Sequence, residues 1–286
     1  MKIGFIGIGV MGEAMAGHLL AAGHEIYIYN RTKSKAEALI AKGAHWCEDV
    51  SGVAKSAQLI FSIIGMPSDV ESVYLGTGGL VESSQEGIIL VDMTTSSPEL
   101  AKKIFEAGRS KGIKVMDAPV TGGDVGAKNA TLTIFVGGEE SVYNEILPIL
   151  ELMGKTIVFT GGPGTGQHAK MANQISIAGA IIGMSESLAY AKNAGLDLET
   201  IIKAISSGSG NSWQFANMGP RIVKGDYAPG FYIKHFMKDM RIALQEAKDM
   251  NIQLPGLDLV INLYETAEIP NLEEMGTQAL YKRYEA

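Results

Sequence analysis

The sequence predicts an α/β protein in which a doubly wound, mostly parallel sheet is followed by an all-α domain. Short apolar runs alternate with stretches of helical spacing as far as residue 159. Residues 161–166, Gly-Gly-Pro-Gly-Thr-Gly, form the densest glycine cluster, and helical spacing without convincing strands follows them. Alternating strands and helices are typical of a parallel sheet covered on both faces. We therefore predict domains at residues 1–162 and 163–286.

The first element is a strand, a glycine turn and a helix. Residues 2–6 form a short apolar run, and Gly7-Ile8-Gly9-Val10-Met11-Gly12 then matches G-x-G-x-x-G. Helical spacing begins at Val10, and Gly23 is a plausible stop just past the helix. Such a turn lets the backbone approach a pyrophosphate, whose charge meets the free N–H groups of the helix start. With a second strand at residues 24–30, this order predicts a Rossmann-type dinucleotide-binding domain. A glycine turn used only for packing is the alternative.

The end of the second strand bears on the choice of dinucleotide. An acidic residue there would accept hydrogen bonds from the ribose of NAD, but this chain has Asn30-Arg31-Thr32. Because Arg makes paired, charge-assisted hydrogen bonds to phosphate, these residues favour the 2′-phosphate of NADP(H), with NAD possible. Alternatively, Thr32 caps the next helix and Arg31 is solvated.

Two further strand ends add candidate cofactor contacts. Apolar runs at residues 58–64 and 88–92 lead to Met66 and Thr95. Ligands of open α/β sheets collect at the carboxyl ends of the strands, so both residues are candidates to touch the cofactor. For Met66, ordinary loop packing is an equal alternative.

The loop after the fifth predicted strand, residues 113–116, combines a hydroxyl with two glycines. In Thr121-Gly122-Gly123, the exposed amides can gather an anion such as a carboxylate. A tight turn without a ligand is the alternative, because glycine pairs also make turns. Two more strands, at residues 131–136 and 156–159, flank a helix at 141–153.

The helical part contains two lysines that could take part in chemistry. A long, mostly apolar helix is predicted at residues 167–193, with Lys170, Asn173 and Gln174 on one face. A lysine ammonium beside a carbonyl can give up a proton as hydride arrives, provided its pKa is lowered. Lys238-Asp239 lies near the start of a helix at 236–250. The alternatives are that Lys170 extends to solvent and that Lys238-Asp239 are solvated charges. The remaining helices are expected at 198–206, 212–223, 257–267 and 277–284.

Composition narrows the class of protein. A net charge of −7 without a dense basic cluster argues against a nucleic-acid partner. Cys47 is the single cysteine, which excludes an internal disulfide, and no His or Cys spacing indicates a metal site. The most apolar stretch, residues 171–184, is shorter than the ~20 residues that span a bilayer. We therefore expect a cytoplasmic protein without a membrane partner.

Four motifs, in order along the chain, resemble those of the β-hydroxyacid dehydrogenases. This family includes 3-hydroxyisobutyrate dehydrogenase, tartronate semialdehyde reductase and the glyoxylate/succinic semialdehyde reductases. The motifs are the opening glycine turn, Asp-Ala-Pro-Val-Thr-Gly-Gly at 117–123, Gly-Thr-Gly-Gln-His-Ala-Lys-Met-Ala-Asn at 164–173, and Lys-Asp-Met at 238–240.

The resemblance implies roles for individual residues. Lys170 would be the catalytic acid/base in reversible hydride transfer between NADP(H) and a small β-hydroxy acid or its semialdehyde or keto acid. Residues 121–123 would hold the substrate carboxylate, and Asn173 would help orient the substrate. Thr95 and Lys238 would contact the cofactor. Phe231 and Asp239 match positions that lie beside the substrate in the semialdehyde reductases of this family.

The resemblance also implies a homodimer or homotetramer formed through the helical domain. Two departures affect the substrate: Thr121 stands where many members have Ser, and Gln174 where many have Asn. The hydroxyl is retained in the first, whereas the second alters the substrate's surroundings. An imine reductase of the same fold and a non-catalytic dinucleotide-binding scaffold are the competing functions, and Lys170 argues against both.

Overall fold

The computed structural model describes residues 1–285. The chain divides into two compact units, the first covering Met1–Lys170 and the second beginning at Met171. The sequence-based boundary at 162/163 lies a few residues earlier. The division at Lys170 falls inside a long helix, since the first turns of that helix are hydrogen-bonded to the sheet of the first unit.

The first unit is built on one mixed sheet. Its strands are β1 (Lys2–Ile6), β2 (Glu25–Tyr29), β3 (His45–Trp46), β4 (Leu59–Ser62), β5 (Ile89–Asp92), β6 (Lys114–Asp117), β7 (Val120–Thr121), β8 (Leu132–Gly137) and β9 (Gly154–Gly161). Their order is β3-β2-β1-β4-β5-β6-β8-β7, with β9 beside β8. The pairs from β3 to β6 are parallel, as is β8–β9, whereas β8 is antiparallel to β6 and β7.

Helices cover both faces of this sheet, which confirms the predicted doubly wound architecture. They are α1 (Val10–Ala21), α2 (Glu37–Ala41), α3 (Val50–Ser56), α4 (Pro67–Leu75), α5 (Leu80–Ser83), α6 (Pro98–Arg109), α7 (Gly123–Lys128) and α8 (Glu140–Leu150). Successive strand residues face opposite sides: Phe61 packs in one core cluster with helices α1 and α8, and Ile60 packs in the other with α3, α4 and α6.

The second unit is helical, as predicted. Helix α9 (Thr165–Asn193) begins in the first unit and continues into the second, where it is followed by α10 (Leu198–Ser206), α11 (Trp213–Val223), α12 (Ile233–Asp249) and α13 (Pro255–Glu265). Its larger core cluster joins side chains of α9, α12 and α13. Among the helices of residues 1–285, none has the length and apolar character needed to cross a membrane.

Several local predictions were wrong. Residues 277–284 form a 3-10 helix rather than an α-helix. Helical spacing at residues 34–42 predicts one helix, but the chain forms a 3-10 turn, Lys33–Ala36, before α2. The sequence prediction also missed β3, α3, α4 and α5, and it treated β7 and α7 as loop. Strand β3 and strand β7 have two residues each, too few to show a period, and α5 and α7 have four and six.

Candidate functional site

The glycine turn between β1 and α1 leaves room for a ligand at one glycine and none at the other two. Gly7 has φ +96°, and a Cβ at Gly12 would lie 1.9 Å from the carbonyl oxygen of Gly7. At Gly9, by contrast, nothing lies within 4 Å of an added Cβ. Gly7 and Gly12 therefore make the tight turn, while Gly9 exposes backbone at the start of α1, where an anionic group can approach.

The end of β2 is tied directly to this turn. The Ile8 N–H donates to Asn30 Oδ1 at 3.0 Å, and Asn30 Nδ2 donates to the Thr32 carbonyl at 2.8 Å. The Asn30 side chain thus holds the two loops together. Thr32 stands at the N-cap position of the 3-10 turn, but its side chain makes no capping hydrogen bond. The part of the alternative in which Thr32 serves as a cap is therefore wrong, whereas the Arg31 side chain is exposed, as the other part expects.

Arg31 and Met66 lie on the surface near helix α4. The Arg31 side chain is 80% exposed and reaches Asp69 Oδ1 at 3.1 Å. The other oxygen of Asp69 accepts from the Met66 N–H at 3.1 Å, and Met66 itself is exposed. The guanidinium is consequently held beside the end of β2 by one exposed carboxylate.

Two buried carboxylates, which sequence reasoning did not assign, lie at the ends of β5 and β6. Asp92 Oδ1 accepts from Ser62 Oγ at 2.9 Å and from the Thr94 N–H at 3.1 Å. Asp117 accepts from the Gly164 N–H and from the Gln167 N–H, both at 2.8 Å. Each acid therefore fixes a backbone segment at the carboxyl edge of the sheet. An acidic residue closing an apolar strand was the available sequence signal.

Burial changes the acidity of both carboxyl groups. Removal from water disfavours a charged carboxylate. It raises the pKa of Asp92 to about 6, although hydrogen bonds from Thr94 and Ser62 act in the opposite direction. Burial also raises the pKa of Asp117, against the hydrogen bonds from Gly164 and Gln167. These two acids are thus less acidic than surface aspartates.

Lys170 is buried, with 5% of its surface exposed. It lies on the second turn of α9, which begins at Thr165. The simple alternative of a side chain extended into solvent is wrong. Lysine side chains are almost never fully buried in proteins unless their charge is paired. The burial of Lys170 therefore marks it as a candidate functional residue.

The candidate carboxylate-binding loop, residues 121–123, has a backbone conformation that favours glycine. Thr121 ends β7, and Gly122 and Gly123 follow with φ values of +129° and +64°. Thr121 and Gly123 are partly buried, and Gly122 is exposed. The positive φ values require glycine, and they leave the backbone of this loop without side chains that would block a small anion.

In the second unit, α9 and α12 share a polar network. Asn173 Nδ2 donates to Gln174 Oε1 at 2.8 Å, and Gln174 Nε2 donates to Asp239 Oδ2 at 2.7 Å. The ammonium of Lys238 lies 3.0 Å from Asp239 Oδ1, and both side chains are less than a tenth exposed. The alternative of solvated charges at Lys238 and Asp239 is therefore wrong.

The three remaining candidate residues, Gln174, Phe231 and Thr95, are all at least partly buried. The Gln174 side chain is long enough to bridge Asn173 and Asp239, and it is 1% exposed. Phe231 is half-buried, with its ring centroid 5.9 Å from that of Phe236 in an edge contact. Thr95 is also half-buried, in the loop that follows β5.

The residues at the carboxyl edge fit a dinucleotide. Strand β1 lies between β2 and β4, so the direction of winding changes beside the glycine turn, where such cofactors bind. The open space at Gly9 matches what a pyrophosphate needs. Within residues 1–285, His, Cys, Asp and Glu side chains form no group of three or more that could hold a metal ion.

Comparison with known proteins gives consistent matches over both parts of the chain. The model for the NAD binding domain of 6-phosphogluconate dehydrogenase matches residues 2–162. The model for NAD-binding of NADP-dependent 3-hydroxyisobutyrate dehydrogenase matches residues 164–284.

Individual relatives match nearly end to end. The probable 3-hydroxyisobutyrate dehydrogenase-like 1, mitochondrial, of Arabidopsis thaliana is 46% identical over 98% of this chain and 84% of its own. The 2-hydroxy-3-oxopropionate reductase of Escherichia coli (strain K12) is 36% identical over 100% and 97%. The solved structure of Psf3 in complex with NADP+ and 2-OPP has a TM-score of 0.90 at 27% identity, covering 98% of this chain and 99% of that one.

Proposed function

The chain belongs to the 3-hydroxyisobutyrate dehydrogenase family of NAD(P)-dependent hydroxyacid dehydrogenases, and from that premise we propose a specific reaction. The enzyme reversibly transfers hydride between NADP(H) and a small β-hydroxy acid or the corresponding semialdehyde or keto acid. Lys170 is the proton donor and acceptor. The observation that carries this proposal is the burial of Lys170 on the second turn of α9, a helix whose start is fixed to the sheet edge.

The proposed chemistry divides between the cofactor and the protein. When bound, the nicotinamide supplies or accepts the hydride. In the direction of reduction, the Lys170 ammonium donates a proton to the carbonyl oxygen, which prevents a full negative charge from developing there. In the direction of oxidation, the neutral amine takes the proton from the hydroxyl group.

Substrate positioning is assigned to the loop at residues 121–123 and to the polar network of the second unit. The Thr121 hydroxyl and the amides of Gly122 and Gly123 bind the carboxylate, which fixes one end of the substrate. Asn173 orients the other polar groups, and the bond from Gln174 to Asp239 holds Asn173 in one orientation. Phe231 supplies an apolar wall. Fixing both ends aligns the carbonyl for two transfers at once.

Cofactor contacts are proposed at the glycine turn, at three further side chains and at the residues after β2. The backbone of Gly7, Ile8, Gly9, Val10 and Met11 binds the pyrophosphate, and Thr95, Met66 and Lys238 contact the remainder of the cofactor. Arg31, Thr32 and Lys33 are all exposed after β2, and Arg31, whose side chain is 80% exposed, carries the guanidinium that suits a 2′-phosphate. Asn30 and Thr32 are proposed to contact the same end of the cofactor. The structural relative bound to NADP+ supports the choice of NADP(H).

Cofactor preference can be tested at Arg31. We expect the wild-type protein to have a KM for NADPH at least ten times lower than its KM for NADH. Arg31→Gln should reduce this preference by about tenfold, because one charge-assisted contact to phosphate is removed. Asp69→Asn is the matched control, since it removes the charge that competes with a phosphate for the guanidinium and should leave or strengthen the preference. A wild-type preference for NADH would contradict the assignment.

The proposed reaction is tested by a substrate panel with NADPH. Glyoxylate, succinic semialdehyde, methylmalonate semialdehyde and tartronate semialdehyde are each offered to the purified protein, and NADPH oxidation is followed at 340 nm. We expect turnover with at least one of them. A cyclic imine is included because an imine reductase would consume NADPH with it alone. A non-catalytic scaffold would bind NADPH and consume none with any compound.

We also propose that the chain forms a homo-oligomer through the helical unit. An exposed row of small residues follows one side of α9, comprising Ala172, Ser176, Gly179 and Gly183, and the exposed Glu186 and Tyr190 continue it toward the end of the helix. Backbones can approach closely along such a row. Light scattering that gave the mass of a single chain would contradict this proposal. A cytoplasmic location stays a prediction.

A further inference from the structure

The strongest unassigned feature of the first unit is a buried amide that clamps a loop. The Gln167 side chain is 0% exposed. Its Oε1 accepts from the Ser96 N–H at 2.9 Å, and its Nε2 donates to the Thr94 carbonyl at 2.7 Å. One side chain therefore satisfies a donor and an acceptor on either side of Thr95, as a neighbouring strand would.

The backbone of Gln167 is held just as firmly. Its N–H donates to Asp117 Oδ2, and the Gly164 N–H donates to Asp117 Oδ1, both at 2.8 Å. The helix also lies very close to the sheet here, because a Cβ on Gly166 would be 2.7 Å from the carbonyl oxygens of Asp117 and Phe135. The first turn of α9 thus has little freedom to rotate or slide.

The loop on the other side of the clamp is fixed independently. The Thr94 N–H donates to Asp92 Oδ1 at 3.1 Å, and Thr94 Oγ1 accepts from the Ile64 N–H at 3.0 Å. Loop 94–96 is therefore bonded to the ends of β4 and β5, and Gln167 connects it to α9. Lys170 follows Gln167 by three residues, a rise of about 4.5 Å along the helix.

We propose that Gln167 is a positioning residue for the reaction, which sets the distance between the loop that carries Thr95 and the helix that carries Lys170. This inference rests on the proposed function, in which Thr95 contacts the cofactor and Lys170 moves the proton. Gln167 touches neither reacting group in this role. It acts through backbone hydrogen bonds, so its loss should misplace the proton donor while leaving the cofactor-binding glycine turn unchanged.

The substitution Gln167→Glu makes the clamp dependent on pH. A neutral glutamic acid has one carbonyl oxygen and one O–H, so it can accept from the Ser96 N–H and donate to the Thr94 carbonyl, as the amide does. A glutamate carboxylate cannot donate, and it would place an oxygen against the Thr94 carbonyl. Burial raises the pKa of such a carboxyl group above its ordinary value. The clamp should therefore close as the pH falls and open as it rises.

The test compares steady-state kinetics of four proteins between pH 5.5 and 8.5, using NADPH and the panel compound that the wild type reduces fastest. Gln167→Glu is expected to lower kcat by at least tenfold at pH 8.5 and to regain most of that loss, relative to wild type, at pH 5.5. Gln167→Met, which removes both hydrogen bonds without adding charge, should lower kcat similarly at every pH. The Kd for NADPH should stay within about threefold of wild type.

The matched control is Gln278→Glu. Gln278 is also buried, at 1% exposed, and its Nε2 donates to the carbonyls of Asp226 and Ala228 at 3.1 and 3.2 Å. Glutamate there should lower the melting temperature in the same pH-dependent way, because a buried carboxylate is introduced. It should leave the ratio of its kcat to that of wild type constant across the pH range.

The outcomes separate the two proposals. An inactive wild type overturns the proposed function and this inference with it. An active wild type with a Gln167→Glu variant that has wild-type kcat at pH 8.5 overturns the positioning role alone. So does a loss of NADPH binding equal to the loss of kcat, or an equal pH-dependent loss of kcat in Gln278→Glu. If Gln167→Glu does not fold, the Gln167→Met variant decides, since unchanged kcat there contradicts the role.

Discussion

At the scale of single residues, the buried carboxyl group of Asp92 makes the stability of the fold depend on pH. Its carboxyl group is buried, and burial raises its pKa from 3.8 to about 6. The folded protein therefore binds this proton at a higher pH than the unfolded chain does. The penalty of the buried charge is fully present above about pH 6, and it disappears as the pH falls toward 4. A shift of this size corresponds to about 3 kcal/mol of unfolding free energy.

The variant Asp92→Asn isolates this effect. An asparagine oxygen can still accept from Ser62 Oγ and the Thr94 N–H, but it does not titrate. We expect the unfolding free energy of wild type to rise relative to that of Asp92→Asn by about 2 kcal/mol between pH 7.5 and pH 4.5. Urea melts at several pH values measure it. A difference that does not change with pH would contradict the assigned acidity.

At the scale of elements, we expect alanine at two positions of the glycine turn to have opposite effects, one on cofactor binding and the other on stability. Gly9→Ala places its Cβ in open space at an extended backbone position, so the melting temperature should stay near that of wild type. The same methyl group obstructs the approach of a pyrophosphate, and the Kd for NADPH should rise at least tenfold. Gly12→Ala should instead destabilise the fold, because its Cβ would meet the Gly7 carbonyl oxygen.

Thermal melts and fluorescence titration with NADPH distinguish these expectations. Gly9→Ala is informative because its predicted defect is in binding alone. If Gly9→Ala bound NADPH as tightly as wild type, the turn would serve packing only. If Gly12→Ala melted at the wild-type temperature, the close contact between the start of α1 and the turn would be disproved.

The same elements show what the sequence could predict about the fold. Strand β1, helix α1 and helix α9 were predicted almost to the residue, because glycines at 7, 23, 164 and 166 mark where these apolar segments begin or end. Strand β7 has two residues, and its pairing with β8 depends on contacts across the sheet. The 3-10 form of residues 277–284 likewise depends on packing that the period of the sequence does not contain.

At the scale of the whole molecule, the candidate site was only partly predictable. Motif order indicated Lys170, Asn173 and Lys238, and burial then removed the solvated alternatives for both lysines. Sequence reasoning missed the clamp of Gln167 and the acids Asp92 and Asp117. Gln167 bonds to the Ser96 N–H and Asp117 to the Gln167 N–H, and Asp92 accepts from the Ser62 hydroxyl of the neighbouring strand. These partners are distant in the sequence, so they follow from the fold and not from local spacing.

The central claim is that Lys170 moves the proton in a reaction driven by a nicotinamide, and it is tested most directly by replacing that residue. In Lys170→Ala, kcat with NADPH and the best panel compound should fall by about 10²–10⁴-fold, the usual contribution of a positioned acid or base. The Kd for NADPH should change by less than about threefold. Turnover in Lys170→Ala within threefold of wild type, with the protein folded and the cofactor bound, would contradict the account.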